Sequence, residues 1–460
     1  MTRRRFLRMS ARALGAAGMA GLGGCSLFPR PAVPLHGERG FSYPFDPPSR
    51  ALFLSDLHLG AEPELDDFAS DAYFTRFIRE VVQPYDGPQD LVLLGDILDL
   101  WECETPGLLD RKINDVALPR RSEPGSPIHA AIVEHEVSGI DRIRARHPVF
   151  FSGLAEALAS NEGLRVWFIE GNHDHTIQSP GGREAVLAAI GSAAEDRVGF
   201  AWWYEQPTLG VYAEHGHQSL YPGPEGVLAA DLNCRLDDPF SESGMSPGYG
   251  IQRLFWSWAE PRLIRADSFP SHLSGLIDWI LHEWSWEFFA IAARAAEAWV
   301  RGYQIGYPVT FLDGRDTDLI KRFLTPVAEQ QVDTRGATAS DMEFVHQQFL
   351  LLRDELSAQV GARQVAGGEL PVQLRTADAF VEDDGYAMRG ARLDRDVFRT
   401  VLMGHWHAAY NELSPAGIRV ANAGTWSNTV IRDPADELVD TTRRAYAVVD
   451  TAGVELRDVQ

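Results

Sequence analysis

Lysine is almost absent from this chain of 460 residues. Only Lys112 and Lys321 occur, so arginine supplies nearly all of the 42 cationic side chains. Against 65 carboxylates the balance is a net charge of -23. Nucleic-acid binding runs on cations that displace phosphate counterions, so this composition argues against stable nucleic-acid binding. Cysteine is as scarce. The three cysteines are Cys25, Cys103 and Cys234, too few for a disulfide framework. Cys103 and Cys234 are left either as one pair or as two buried thiols. The weakly apolar stretch Ala11–Gly24 is too short and too rich in Gly and Ala to span a membrane.

What is there begins with an address. Thr2-Arg3-Arg4-Arg5-Phe6-Leu7-Arg8 is a twin-arginine start. Leu22-Gly23-Gly24-Cys25 resembles a bacterial lipobox, in which the cysteine is lipidated after cleavage. Residues 1–25 therefore read as an export signal, with the periplasm or cell envelope as destination and a lipid anchor at Cys25 as the membrane contact. The bland alternative is a plain signal peptide cut elsewhere. Residues 26–48, rich in Pro, Gly and Phe, read as a tether.

Five short segments then carry chemistry: Asp56-Leu57-His58, Gly95-Asp96 with Asp99, Gly171-Asn172-His173-Asp174, His215-Gly216-His217 and Gly404-His405-Trp406-His407. Each follows an apolar, strand-like run: Ala51–Leu54, Leu91–Leu94, Val166–Ile169, Gly210–Ala213 and Val401–Met403. Polar groups recurring at strand ends predict one pocket at the carboxyl edge of a sheet. Asp56 and His58, two apart on an extended segment, are expected to point to one side, as are His405 and His407. With Asp96, Asn172 and His215 they make seven ligand groups, enough for two divalent ions if one carboxylate bridges. Nitrogen and oxygen ligands without thiolate fit Mn, Fe or Zn.

That order of motifs resembles the calcineurin-like metallophosphoesterases, over Ala51–Glu102, Val149–His217 and Thr400 to the end. The resemblance implies an α/β fold: a two-sheet β-sandwich flanked by helices, layered α, β, β, α. It assigns Asp56, His58 and His407 to one metal, Asp96 to the bridge, and Asn172, His215 and His405 to the other. It implies in-line attack on phosphorus by a metal-bridging hydroxide. His173 becomes the general acid, Asp174 the carboxylate that orients its imidazole, and Asp99 a supporting group; His175 and His217 fall outside the pattern. The expected substrate is a small-molecule or lipid phosphate ester, mono- or diester.

Ser55–Gly60 and Gly95–Trp101 are also similar to the UDP-2,3-diacylglucosamine hydrolase branch, which would make the chain a pyrophosphatase. Gly171-Asn172-His173-Asp174 departs from that branch, which tends to have Arg where His173 stands. A metal-binding envelope protein without activity, with the acidic surface for partners, is the remaining alternative. The core is expected in two parts, 49–217 and 400–460, around a helical insert or cap at 218–399. Within the insert, Leu273–Arg301 carries an apolar helical stripe opposite charged residues, and Ser340–Val360 reads as a second helix.

Overall fold

The structure, a computed structural model, describes residues 47–63, 66–101, 103, 127–191, 196–218, 220–222, 228–230, 252, 347, 370–382, 387–388, 391–432 and 437–459. By compactness the chain divides into two units, Pro29–Tyr249 with Leu370–Gln460, and Met1–Phe28 with Gly250–Glu369. Apart from Gln252 and Gln347, the described residues all belong to the first. The export signal, nearly all of the tether, Cys234 and the two predicted insert helices (Gln347 apart, which is helical) lie outside the described residues.

The chain runs β1 (Arg50–Leu54), α1 (Asp71–Phe77), β2 (Gln89–Leu94), α2 (Pro127–Arg146), α3 (Pro148–Ser160), β3 (Leu164–Ile169), α4 (Pro180–Ile190) and β4 (Val198–Ala201). It continues with β5 (Tyr204–Gln206), β6 (Val211–Glu214), β7 (Leu220–Pro222), β8 (Leu228–Ala230), α5 (Leu370–Glu382), β9 (Thr400–Met403), β10 (Ala409–Leu413) and β11 (Arg419–Ala423). It closes with β12 (Val430–Arg432), β13 (Leu438–Asp440), β14 (Ala445–Asp450) and β15 (Gly453–Asp458). One sheet has the order β15-β14-β1-β2-β3-β4, with β1 to β4 parallel and β14 and β15 antiparallel. The other is β10-β11-β9-β6-β5, with β6, β9 and β11 parallel.

Side-chain alternation sorts these strands into layers. Ala51, Phe53, Val92, Leu94, Val211, Ala213, Leu402 and Ala421 form one buried cluster drawn from both sheets. The alternate residues Leu52, Leu54, Leu91 and Leu93 face the other way, onto Phe74 and Phe77 of α1, Ile143 of α2, Leu154 of α3 and Val186 of α4. Tyr212, Val401, Met403 and Val420 turn their backs on the shared cluster and meet Ala377, Phe380 and Val381 of α5. The fold is thus α/β, two mixed sheets sharing a core, with helices on the outer faces. Burying each Leu, Val, Phe or Met of these layers contributes about 1.5–3 kcal/mol.

Local chemistry sets the boundaries. Helix α1 begins at Asp71. The Asp66 carboxylate takes the amides of Gly60 and Phe68, which pins the preceding segment as a turn. At its end the helix loosens into a π turn, Ile78–Val82, closed by Gln83 N–H on the Ile78 carbonyl. Trp202 and Trp203 separate β4 from β5, which belong to different sheets. Helix α4 follows from its caps: Ser179 accepts from Gly182 N at 3.0 Å, Pro180 starts the first turn and Gly191 ends it. Helix α5 lies inside the span assigned to the insert, yet it packs on the second sheet.

Candidate metal centre

Five parallel strands deliver the predicted residues. Strands β1, β2 and β3 of the first sheet end just before Asp56, Asp96 and Asn172; β6 and β9 of the second end before His215 and His405. After β1 and β2 the two loops stay paired: Asp56 N donates to the Gly95 carbonyl, and His58 N to that of Asp96.

The expectation of an extended Asp-x-His and His-x-His is corrected. Asp56 (φ 53°), His58 (φ 50°), Asp96 (φ 51°), His405 (φ 70°) and His407 (φ 53°) all occupy the left-handed region. Among the described residues no other non-glycine residue has positive φ. Each such conformation costs on the order of 1–3 kcal/mol and persists only where its surroundings enforce it. Here the enforcement is visible. The Asp56 carbonyl accepts from Trp426 N and from Thr425 Oγ1, while its carboxylate accepts from His405 N at 3.0 Å. The side chains do converge, but through tight left-handed turns at the strand ends rather than through pleat alternation.

Three groups gather, each able to hold a metal ion: Asp56, His58 and His407; Asp96, His215 and His405; and His58, Asp99 and His173, which shares His58 with the first. In the first, His58 Nε2 stands 3.2 Å from His407 Nε2, which is 3.3 Å from Asp56 Oδ1. In the second, His215 Nε2 is 3.0 Å from Asp96 Oδ2 and 3.2 Å from Asn172 Oδ1. Tautomers follow from the other ring nitrogens. His58 Nδ1 donates to Asp99 Oδ2 at 2.8 Å, and His215 Nδ1 to the Leu94 carbonyl at 2.8 Å. The Nε2 of His215 thereby faces the Asp96 and Asn172 oxygens, and that of His58 faces His407 Nε2. Such a gathering repels itself unless something positive sits within it, so the donor set fits a cation.

The titration behaviour says the same. Burial works against a charged His215, but Asp96 and Asp56 overcome it and raise the imidazole to about 10. A proton serves there in a cation's place. Asp96 is held well below the usual carboxylate range despite its burial, by His215, His173 and His58.

Asp174 is not where the resemblance put it. Its carboxylate accepts from the amides of Gly171, Ile97 and Leu98, tying the third motif to the second. Buried and close to Asp96, it is raised to about 7. The group on His173 is Asp99, whose two oxygens both lie 2.9 Å from Nδ1. Burial notwithstanding, Asp99 and Asp96 raise His173 to about 9. Asp99 thus holds two imidazoles at once, those of His58 and His173. His173 also donates its backbone N–H to Asp96 Oδ1 at 2.8 Å.

His217 lies beside His215, ring centroids 5.3 Å apart. It is buried with neither ring nitrogen hydrogen-bonded among the described residues. Burial first, then His215 and His405, lower it well below the ordinary histidine value. His175 is buried near Glu136 of α2. Cys103 is a buried thiol whose Sγ meets the Asp99 carbonyl at 3.4 Å.

Two glycines in the motifs are required by close approach. A Cβ on Gly171 would run into the backbone N and the carboxylate of Asp96, and one on Gly404 into Ser55 Oγ, with Asp56 Oδ2 2.8 Å away. The supporting groups Ser55, Asn422 and Thr425 escaped the sequence reading. Ser55 donates to Asp56, and Asn422 Nδ2 to the Gly404 carbonyl. Asn422 and Thr425 come at the end of β11, the same strand-end placement that marked the ligands.

Compared with protein-family models and with curated proteins, the sequence matches none.

Proposed function

We propose that the chain is a dinuclear-metal phosphoric ester hydrolase with the fold and site of the calcineurin-like metallophosphoesterases. One observation carries this reading. The five non-glycine residues held at positive φ are all ligands on the motif pattern, and they fall into two of the groups able to hold a metal ion, Asp56, His58 and His407 in one and Asp96 and His405 in the other. Strain concentrated on a convergent acceptor set points to a built site. Divalent Mn, Fe or Zn held there would supply positive charge for the phosphoryl oxygens and acidify water.

The chain's own residues do the rest. Asp96, gripped by the His173 amide and faced by His215, spans the two groups. Asp99 keeps His173 charged and fixes its Nδ1–H, leaving Nε2 to give a proton to the departing alkoxide. The described helices contain none long and apolar enough to cross a membrane. Membrane contact is assigned to the lipid anchor at Cys25, with the enzyme exported through the twin-arginine signal. The substrate is a small-molecule or lipid phosphate ester.

Asp96→Asn tests the ligand assignment. The variant is expected to lose metal-dependent hydrolysis of p-nitrophenyl and bis-p-nitrophenyl phosphate while it still melts cooperatively. Full turnover in that variant would remove Asp96 from the centre.

A further inference from the structure

The sequence motif that supplies Asp96 and Asp99 ends in an aromatic residue that the proposed chemistry has not used. The Trp101 indole stacks on the His173 imidazole, ring centroids 4.4 Å apart and planes 24° from parallel. His173 is thereby held from three directions. Asp99 takes Nδ1 along one edge, Trp101 covers one face, and His58 meets the ring edge-to-face at 4.8 Å. No hydrogen-bond partner occupies Nε2 among the described residues, and the side chain keeps 17% of its surface open.

Trp101 is itself anchored. It is 4% exposed, and the neighbouring Leu98, Leu100 and Cys103 are fully buried. Leu98 bridges to Leu59, and Asp99 N donates to the Leu59 carbonyl at 3.0 Å. Gly139 of α2 leaves room for Cys103: a Cβ there would lie 2.8 Å from its Sγ. The indole is therefore a fixed plate set against the imidazole.

We propose that Trp101 is the positioning residue for the general acid, holding the imidazole of His173 flat so that Nε2 faces the leaving oxygen. A single carboxylate at Nδ1 leaves the ring free to pivot about that bond; the stacked plate removes the pivot. The inference rests on the hydrolase reading for its kinetic consequence, and on geometry alone for its structural one.

The test uses two readouts on the full chain, with Trp101→Phe, Trp101→Leu and Trp101→Met. The first is the ratio of turnover on phenyl phosphate, a poor leaving group, to that on p-nitrophenyl phosphate, a good one. Removing a general acid costs about 10²–10⁴-fold, so misaligning it is expected to lower this ratio at least about tenfold in Trp101→Leu and Trp101→Met. Trp101→Phe should retain most of the ratio, and His173→Ala should show the largest fall. An unchanged ratio in both aliphatic variants overturns the proposal. The second readout is the imidazole Nδ1–H proton resonance of His173, identified by its disappearance in His173→Ala. It should persist in Trp101→Phe and broaden away in the aliphatic variants, with metal or without. Persistence in both aliphatic variants overturns the proposal even if no ester is hydrolysed, whereas absent turnover in the wild type counts against the hydrolase reading alone. Trp101→Met keeps the test open if Trp101→Leu does not fold.

Discussion

Asp99→Asn is the most informative single change, because one carboxylate serves two histidines with different duties. Asp99 accepts from His58 Nδ1 at 2.8 Å and from His173 Nδ1 at 2.9 Å. An amide of the same shape is neutral and puts an NH₂ in place of one oxygen. With the NH₂ at the Oδ2 position His58 Nδ1 loses its acceptor; with it at the Oδ1 position both imidazoles share one uncharged oxygen, and His173 loses one of its two acceptors. Each bond to a charged partner contributes about 1.5–3 kcal/mol, which converts to roughly 10–150-fold. If His58 is the one misaligned, metal affinity should fall by about 10–100-fold, the usual consequence of losing a ligand's supporting partner. If it is His173, the negative charge that keeps the imidazole protonated is gone as well, and turnover at saturating metal should fall by on the order of 10²-fold. The assay is turnover of phenyl phosphate and p-nitrophenyl phosphate across a metal titration, with bound metal measured in parallel. A change of less than about threefold in both metal affinity and turnover would refute the shared-carboxylate reasoning.

Two further outcomes follow from the same geometry. Gly171→Ala places a methyl group against the Asp96 backbone and carboxylate, so it should displace Asp96 and weaken metal binding at least about tenfold; unaltered metal content after dialysis would contradict the close approach. In metal-free protein, His173 and His215 are raised from 6.5 to about 9 and about 10. Their contribution to stability is then fully present below about pH 6.5 and is lost as pH rises through 9 to 10. Asp174, raised to about 7, acts in the same direction between about pH 4 and 7, since its protonated form favours the fold. The chelated protein should therefore melt at progressively lower temperature from pH 7 to 10, while stabilisation by added metal grows over that range. A flat or rising profile for the chelated protein would count against the coupling.

Much of the site was legible in the sequence because its residues follow strands that announce themselves. Leu91–Leu94 and Val401–Met403 are short apolar runs followed at once by Gly and a ligand, and such runs in parallel sheets carry their own signal. The two-sheet layering was implied by the resemblance, and it emerges in the structure from alternating residues such as Ala51 and Leu52. Other features depend on contacts that no local pattern encodes. The left-handed turns at Asp56 and His405 are enforced by groups far along the chain, Thr425 and Trp426 among them. The resemblance assigned the contact with the His173 imidazole to the neighbouring Asp174, while in the structure Asp99 makes it across 74 positions. Strands β10 and β15 are edge strands with exposed polar residues, so hydrophobic pattern does not mark them.

The central claim is that two ions held by Asp56, His58, His407 and by Asp96, His215, His405 enable hydrolysis of a phosphate ester. It is tested most directly by stripping the protein with chelator and returning Mn, Zn or Fe stepwise. Bound metal and turnover of p-nitrophenyl and bis-p-nitrophenyl phosphate are followed together. The expected result is turnover that is absent without metal and rises to a plateau as two ions bind per chain, the preferred ester separating monoesterase from diesterase. Full occupancy by two ions without turnover of either ester, or turnover in the stripped protein, would contradict it.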